Sequence, residues 1–279
     1  MSFRPPRARL RYPPICEKSV RFTIQVVEVI TVASLSQSVA APATHKIVSK
    51  LNGFLEEYFY FAMSLLFAAI VVTGFSRTVN QNLFHPAIAR PFLLWVHGAA
   101  FSGWVVFYIL QSALVRSGNV NLHRRIGWIG TGLGALMVPL GVTIAIVMAH
   151  FDDVQLHQPD PVFLSIPFYD MLAFGVMVAL AITWRRKPDL HRRLLFLATC
   201  SLLDAPFGRS DFIFNHYLFF PCLDVVALLG VMRDLMVNRS VHAVYRYVLP
   251  LMIVGQAVSV YLWRGSPGWW LKATQIIVG

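Results

Sequence analysis

From Tyr58 onward the chain is a succession of long apolar runs separated by short polar turns rich in arginine. A helix needs about 20 mostly apolar residues to cross the hydrocarbon core of a bilayer, which is about 30 Å thick. Seven runs approach that length, at residues 58–75, 92–115, 126–150, 162–184, 193–208, 211–232 and 241–263. They predict an all-α, polytopic membrane helix bundle of about seven transmembrane helices. The fifth run is the shortest and holds Asp204 and Pro206, so a kink or an early end is expected there. The runs are continuous and lack the ten-residue alternating segments of a membrane β-barrel.

The basic residues orient the bundle. Arg116, Arg124, Arg125, Arg185, Arg186, Lys187, Arg192, Arg193, Arg233, Arg239 and Arg246 fall on one side of the predicted spans, against Arg77, Arg90, Arg209, Arg264 and Lys272 on the other. The positive-inside rule then gives an N-in, C-out topology. The predicted outer loop at 151–161 agrees, with Asp152, Asp153 and Asp160 and no basic residue.

Composition fits a lipid-solvated chain: 57% of residues are hydrophobic and 13% charged, where soluble domains carry about 25% charged residues. The net charge of +11 would suit a nucleic acid, but no nucleic-acid-binding motif accompanies it and the charge sits in membrane turns. The expected partner is the bilayer, with anionic lipid head groups at the cytoplasmic arginine-rich turns. Cys16, Cys200 and Cys222 show no metal-ligand spacing, and the last two read as small core residues. His85, His150 and His157 lack the spacing of a metal site as well. No P-loop, GxSxG, HExxH or dinucleotide-binding pattern is present, so nothing decides whether the chain is an enzyme.

Residues 1–50 form a basic extension ahead of the transmembrane domain at 51–279. Arg4, Arg7, Arg9 and Arg11 before a semi-apolar stretch give the outline of a secretory signal, but Gln25, Glu28, Ser36 and Gln37 interrupt it. Two readings fit better. The stretch is a disordered cytoplasmic tail, or translation starts at Val48 from a GTG codon.

An internal repeat links the turns: Leu122-His123-Arg124-Arg125 recurs as Leu190-His191-Arg192-Arg193, each followed by a helix with a threonine at the matching position, Thr131 and Thr199. Helices two and three thus read as a parallel copy of helices four and five. Gly127, Gly130 and Gly134, with Gly98 and Ser102, are expected to bring helices two and three close together.

An ionisable residue inside a membrane is costly, so each one is a functional candidate. His97 and His216 fall at matching depth from the outer side, and Asp170 lies on the fourth helix. Asp204, Arg209 and Asp211 gather at the outer ends of the fifth and sixth helices, with Asp224 deeper. His97, Trp104 and Gln111 recur every seven residues on one face of the second helix, which should point into the bundle. Two functional readings follow. In the first, paired imidazoles at equal depth, His97 with His216 and His123 with His191, ligate haem b in a haem- or quinone-linked redox protein. In the second, His97, Asp170, Asp204, Asp211 and His216 line an ion- or proton-binding cavity of a small-solute or proton-coupled transporter, with Arg209 paired to Asp204 or Asp211. A third reading is a structural or sensory membrane protein in which these groups satisfy one another.

From Phe54 onward the chain resembles an uncharacterised family of bacterial multi-pass membrane proteins. Gly74-Phe75-Ser76-Arg77, His97-Gly98-Ala99 and the two LHRR turns carry the resemblance. It implies a seven-helix protein of the bacterial cytoplasmic membrane and assigns it no activity.

Overall fold

The structure, a computed structural model, describes Lys50 and residues 52–279. The readings made for residues 1–47 lie outside the described residues. The architecture belongs to the compact unit Gly53–Gly279, and no strand occurs among the described residues.

Among the described residues ten α-helices follow one another: α1 (Asn52–Ser76), α2 (Leu93–Arg116), α3 (Val120–Leu156), α4 (Ser165–Thr183), α5 (Pro188–Cys200), α6 (Asp204–Phe207), α7 (Asp211–Asn215), α8 (Phe219–Asn238), α9 (Ala243–Gly265) and α10 (Gly268–Val278). Five segments are long and apolar enough to cross a membrane: α1, α2, α3, α9, and α4 together with the 3-10 turn before it (Pro161–Thr183). Val72, Val106, Ile129, Leu172, Val225 and Leu251, from six different helices, are 62–70% exposed. So broad an apolar belt would be penalised in water and is at home against lipid tails. The chain is a multi-pass membrane protein.

Helix α5 is the exception to this belt. Leu194, Phe196, Leu197, Ala198 and Cys200 are fully buried. Its 13 residues rise about 20 Å, less than the hydrocarbon thickness. Around it stand α4, α8 and α9. Phe59 and Phe67 of α1 reach the Phe196 ring at 5.8 and 5.7 Å, and Trp104 of α2 donates to Thr199 Oγ1 at 3.3 Å.

The apolar run at 193–208 is therefore not one helix. The chain tightens after Cys200, with Leu202 and Leu203 donating to carbonyls three residues back, and restarts as α6. Pro206, which cannot donate and would clash with a preceding turn of helix, explains why α5 does not continue through it. The run at 211–232 also divides. His216, Tyr217 and Leu218 interrupt it, Tyr217 adopting a left-handed φ of 56°, and α8 begins only at Phe219. Pro221 fits in the first turn of α8, where backbone N–H groups have no intrahelical acceptor. Helix α3 exceeds its expected span: 37 residues give about 55 Å, ended by His157 at φ 53°. Helix α10 has no counterpart among the predicted spans. It folds against the 3-10 turn through Trp270, whose ring N–H donates to Val162 O at 3.0 Å.

Of the glycines expected to join helices two and three, Gly130 and Gly134 do so. A Cβ on Gly130 would overlap the Phe107 ring, and one on Gly134 would lie 3.2 Å from Trp104. Gly127 and Gly98 face open space. The tightest approach is elsewhere: a Cβ on Gly74 would overlap the backbone of Pro206, so α1 touches α6 main chain to main chain. Gly74→Ala should therefore destabilise the fold by about 1–3 kcal/mol, the usual cost of overpacking. Gly98→Ala should be neutral or mildly stabilising, because alanine is the better helix former. Thermal unfolding of both variants in detergent checks this, and equal midpoints would contradict the close approach.

Candidate functional site

Polar side chains collect at the two ends of the bundle. At the end away from the LHRR turns, Asp170 lies in the second turn of α4 and Asp204 opens α6, where the break after Cys200 places it. They are 5% and 7% exposed, and their carboxyl groups are close enough to act on one another. Asp170 Oδ1 is buried without a partner. Two carboxylates offer only acceptors, so a hydrogen bond between them requires a proton on one.

Neighbouring groups frame this pair. Tyr169 donates to Met252 O at 2.7 Å, its ring seated against Gly255 of α9. Asp224 of α8 accepts from Gln256 of α9 at 3.0 Å. Arg209 is close enough to Asp204 and His97 for its charge to act on both. It forms no ion pair with Asp204 or Asp211, contrary to the expected pairing, and its guanidinium lies 5.3 Å over the Phe75 ring instead. Asp211 is exposed at the start of α7.

The expected facing of His97 and His216 is not formed. His97 is half-buried on α2, its Nδ1 enclosed without a partner and its ring 4.1 Å from that of Phe101. His216 is exposed after α7, its Nδ1 2.8 Å from Phe212 O in the same turn. The interruption at 216–218 removes it from the long helix on which the equal depth depends. The second pair does meet: the rings of His123 and His191 are 6.4 Å apart and nearly perpendicular. His191 Nδ1 is 2.8 Å from Ala181 O, which leaves its Nε2 free to accept. Along the α2 face, Trp104 is buried as expected, and both polar atoms of the Gln111 side chain are buried without partners.

A charged network at the LHRR end went unread in the sequence. Arg193 and Arg233 are 1% and 2% exposed and Asp234 is fully buried. Arg193 Nε and Nη2 donate to the two oxygens of Asp234 at 2.9 and 2.6 Å. Arg233 Nη1 and Asn238 Nδ2 add bonds to Oδ1 at 3.0 and 3.1 Å. Arg193 Nη1 donates to Asp189 O at 2.8 Å, and Arg192 pairs with the Asp189 carboxylate. The arginines had been counted as headgroup-level positive charge, which hid that two of them turn inward. The available signal was Asp234, an acidic residue inside a basic end. His242, just ahead of α9, has its pKa lowered from the usual imidazole value by burial first and by the charge of Arg193 second.

Compared with protein-family models, curated proteins and solved structures, the chain matches none.

One carboxylate neutralises two buried guanidinium groups, so the members of this network are unequal. Asp234→Asn should strip Arg233 of its counter-charge, leave Arg193 only the exposed Asp189 carboxylate at 3.4 Å, and cost about 3–5 kcal/mol. Arg193→Met leaves Asp234 still held by Arg233 and Asn238 and should cost less. Denaturation of the two variants in detergent checks the order, and equal losses would contradict a shared counter-ion.

Proposed function

We propose that the chain is a proton-coupled transporter of small solutes, with Asp170 and Asp204 as its proton-binding site. The observation that carries this reading is the meeting of the two carboxyl groups inside the bundle. A pair that shares one proton takes up or gives up that proton whenever a cationic or hydrogen-bonding solute displaces it, which couples solute binding to proton movement. Arg209 stands at the rim of the same end. Asp224, held by Gln256, offers a further acceptor on the adjoining helices.

The proposed topology is seven crossings, N-in and C-out, in the cytoplasmic membrane of a bacterium. Helix α8 supports a sixth crossing, because it is 20 residues long and exposes Val225, Leu228, Met232, Leu235 and Met236 despite its three charged residues. Helix α5 makes the seventh, shielded from lipid. The antiparallel sense of α5 and α8 agrees with the pairing of Arg193 near the start of one with Asp234 near the end of the other. The arginine-rich turns define the cytoplasmic side, where Arg124, Arg125, Arg185 and Arg186 meet anionic head groups. The repeat supports transport as well, since transporters are often built from repeated helix pairs. Helices α2 and α3 pack as one hairpin, α4 and α5 as another, and their equivalent histidines meet.

Purified protein in liposomes loaded with a pH-sensitive dye tests the proposal. Addition of cationic amines, amino acids or sugars should produce a pH change in the lumen for at least one class, and Asp170→Asn and Asp204→Asn should each abolish it. A response that survives both substitutions, or none for any class, would overturn it.

A further inference from the structure

The charged network at the LHRR end is not electrically closed. Three arginines, Arg192, Arg193 and Arg233, face two aspartates, Asp189 and Asp234, and the aspartates engage only some of the guanidinium N–H groups. The Nε of Arg192 and the Nε of Arg233 are buried and have no partner. Close to both side chains lies Tyr60 of α1, its hydroxyl also buried and unpartnered. The guanidinium carbons of Arg192 and Arg233 stand 5.5 and 5.9 Å from the centre of its ring. Three unpartnered donors from α1, α5 and α8 thus lie in one region that carries an excess positive charge. Each would cost free energy if left unmade in a membrane protein, where water cannot supply the missing acceptor.

We infer that Tyr60, Arg192 and Arg233 form a binding site for a phosphate group. A tetrahedral phosphate presents several acceptor oxygens at once, and guanidinium N–H groups recognise it with short, charge-assisted bonds. It would also supply the negative charge that the network lacks. Arg193 is not part of the site, because Asp234 and Asp189 occupy its Nε and both terminal nitrogens. The approach is along Arg192, whose side chain is 35% exposed, whereas Arg233 forms the closed floor. Arg124, which holds the equivalent place in the first LHRR turn, is exposed and has no such surroundings. The phosphate belongs to a phospholipid head group or to a soluble phosphate compound, and the two sources separate experimentally.

Protein in neutral detergent, titrated in parallel with phosphatidylglycerol, with diacylglycerol lacking the phosphate, and with inorganic phosphate against chloride at equal ionic strength, tests the inference. Native mass spectrometry reads bound lipid and thermal unfolding reads both ligands. Phosphatidylglycerol, inorganic phosphate or both should bind and stabilise, with diacylglycerol inert. Tyr60→Phe and Arg192→Gln, which leave the Arg193–Asp234 pair intact, should each weaken binding about tenfold, the worth of one hydrogen bond to a charged group. Arg124→Gln should leave it unchanged. Binding only of phosphatidylglycerol identifies a lipid head group, and binding of inorganic phosphate identifies the phosphate group alone as sufficient. Absence of binding by either, or binding that Arg124→Gln weakens as much as Tyr60→Phe and Arg192→Gln do, would overturn the inference.

Discussion

Helix α5 has no lipid-facing side, so every polar group it carries needs a partner inside the protein. That constraint organises the bundle. Near its start Arg193 is held by Asp234 of α8, in its middle Thr199 accepts from Trp104 of α2, and just beyond its end Asp204 meets Asp170 of α4. Each contact draws a different outer helix onto the same short axis. The apolar part of the interface does the rest, with Phe196 receiving three rings from α1 and Leu194 and Leu197 fully enclosed. Hydrophobic burial alone would not fix the arrangement, because lipid tails solvate leucine about as well as a neighbouring helix does. The polar contacts and the small-residue approaches supply the specificity.

The two ends of this axis differ in kind. At one end a carboxylate is saturated by fixed positive charges, which makes a rigid junction between α5 and α8. At the other, two carboxyls face each other with no ion pair to hold either in one state. A site that must change protonation belongs at the second kind of place. The close contact of Gly74 with Pro206 pins α6, and with it Asp204, against α1.

Long continuous apolar runs made the five segments long and apolar enough to cross a membrane legible in the sequence, because a spanning helix satisfies its backbone groups away from water. Residues 193–208 were apolar enough to imitate a sixth such run, and Asp204 and Pro206 marked where it would fail. Its burial on all sides could not be read, since residues that face lipid and residues that face protein are equally apolar. Asp170 and Asp204 were singled out by cost alone, as carboxyls inside a membrane, and their meeting depends on a tertiary approach between α4 and α6 that no spacing encodes. His216 was misplaced because a break of three residues turned one expected helix into two. Arg193 and Arg233 were read as surface charge because arginine at a membrane edge ordinarily faces head groups, and only Asp234 hinted otherwise.

The central claim is that Asp170 and Asp204 share a proton inside the bundle. Infrared difference spectroscopy of purified protein, recorded as pH is stepped, tests it most directly. A protonated carboxyl has a carbonyl stretch that a carboxylate lacks. The account expects one such band near neutral pH, shifted by deuterium exchange and missing from both Asp170→Asn and Asp204→Asn. A spectrum without a protonated carboxyl, or a band that both substitutions leave in place, would contradict it.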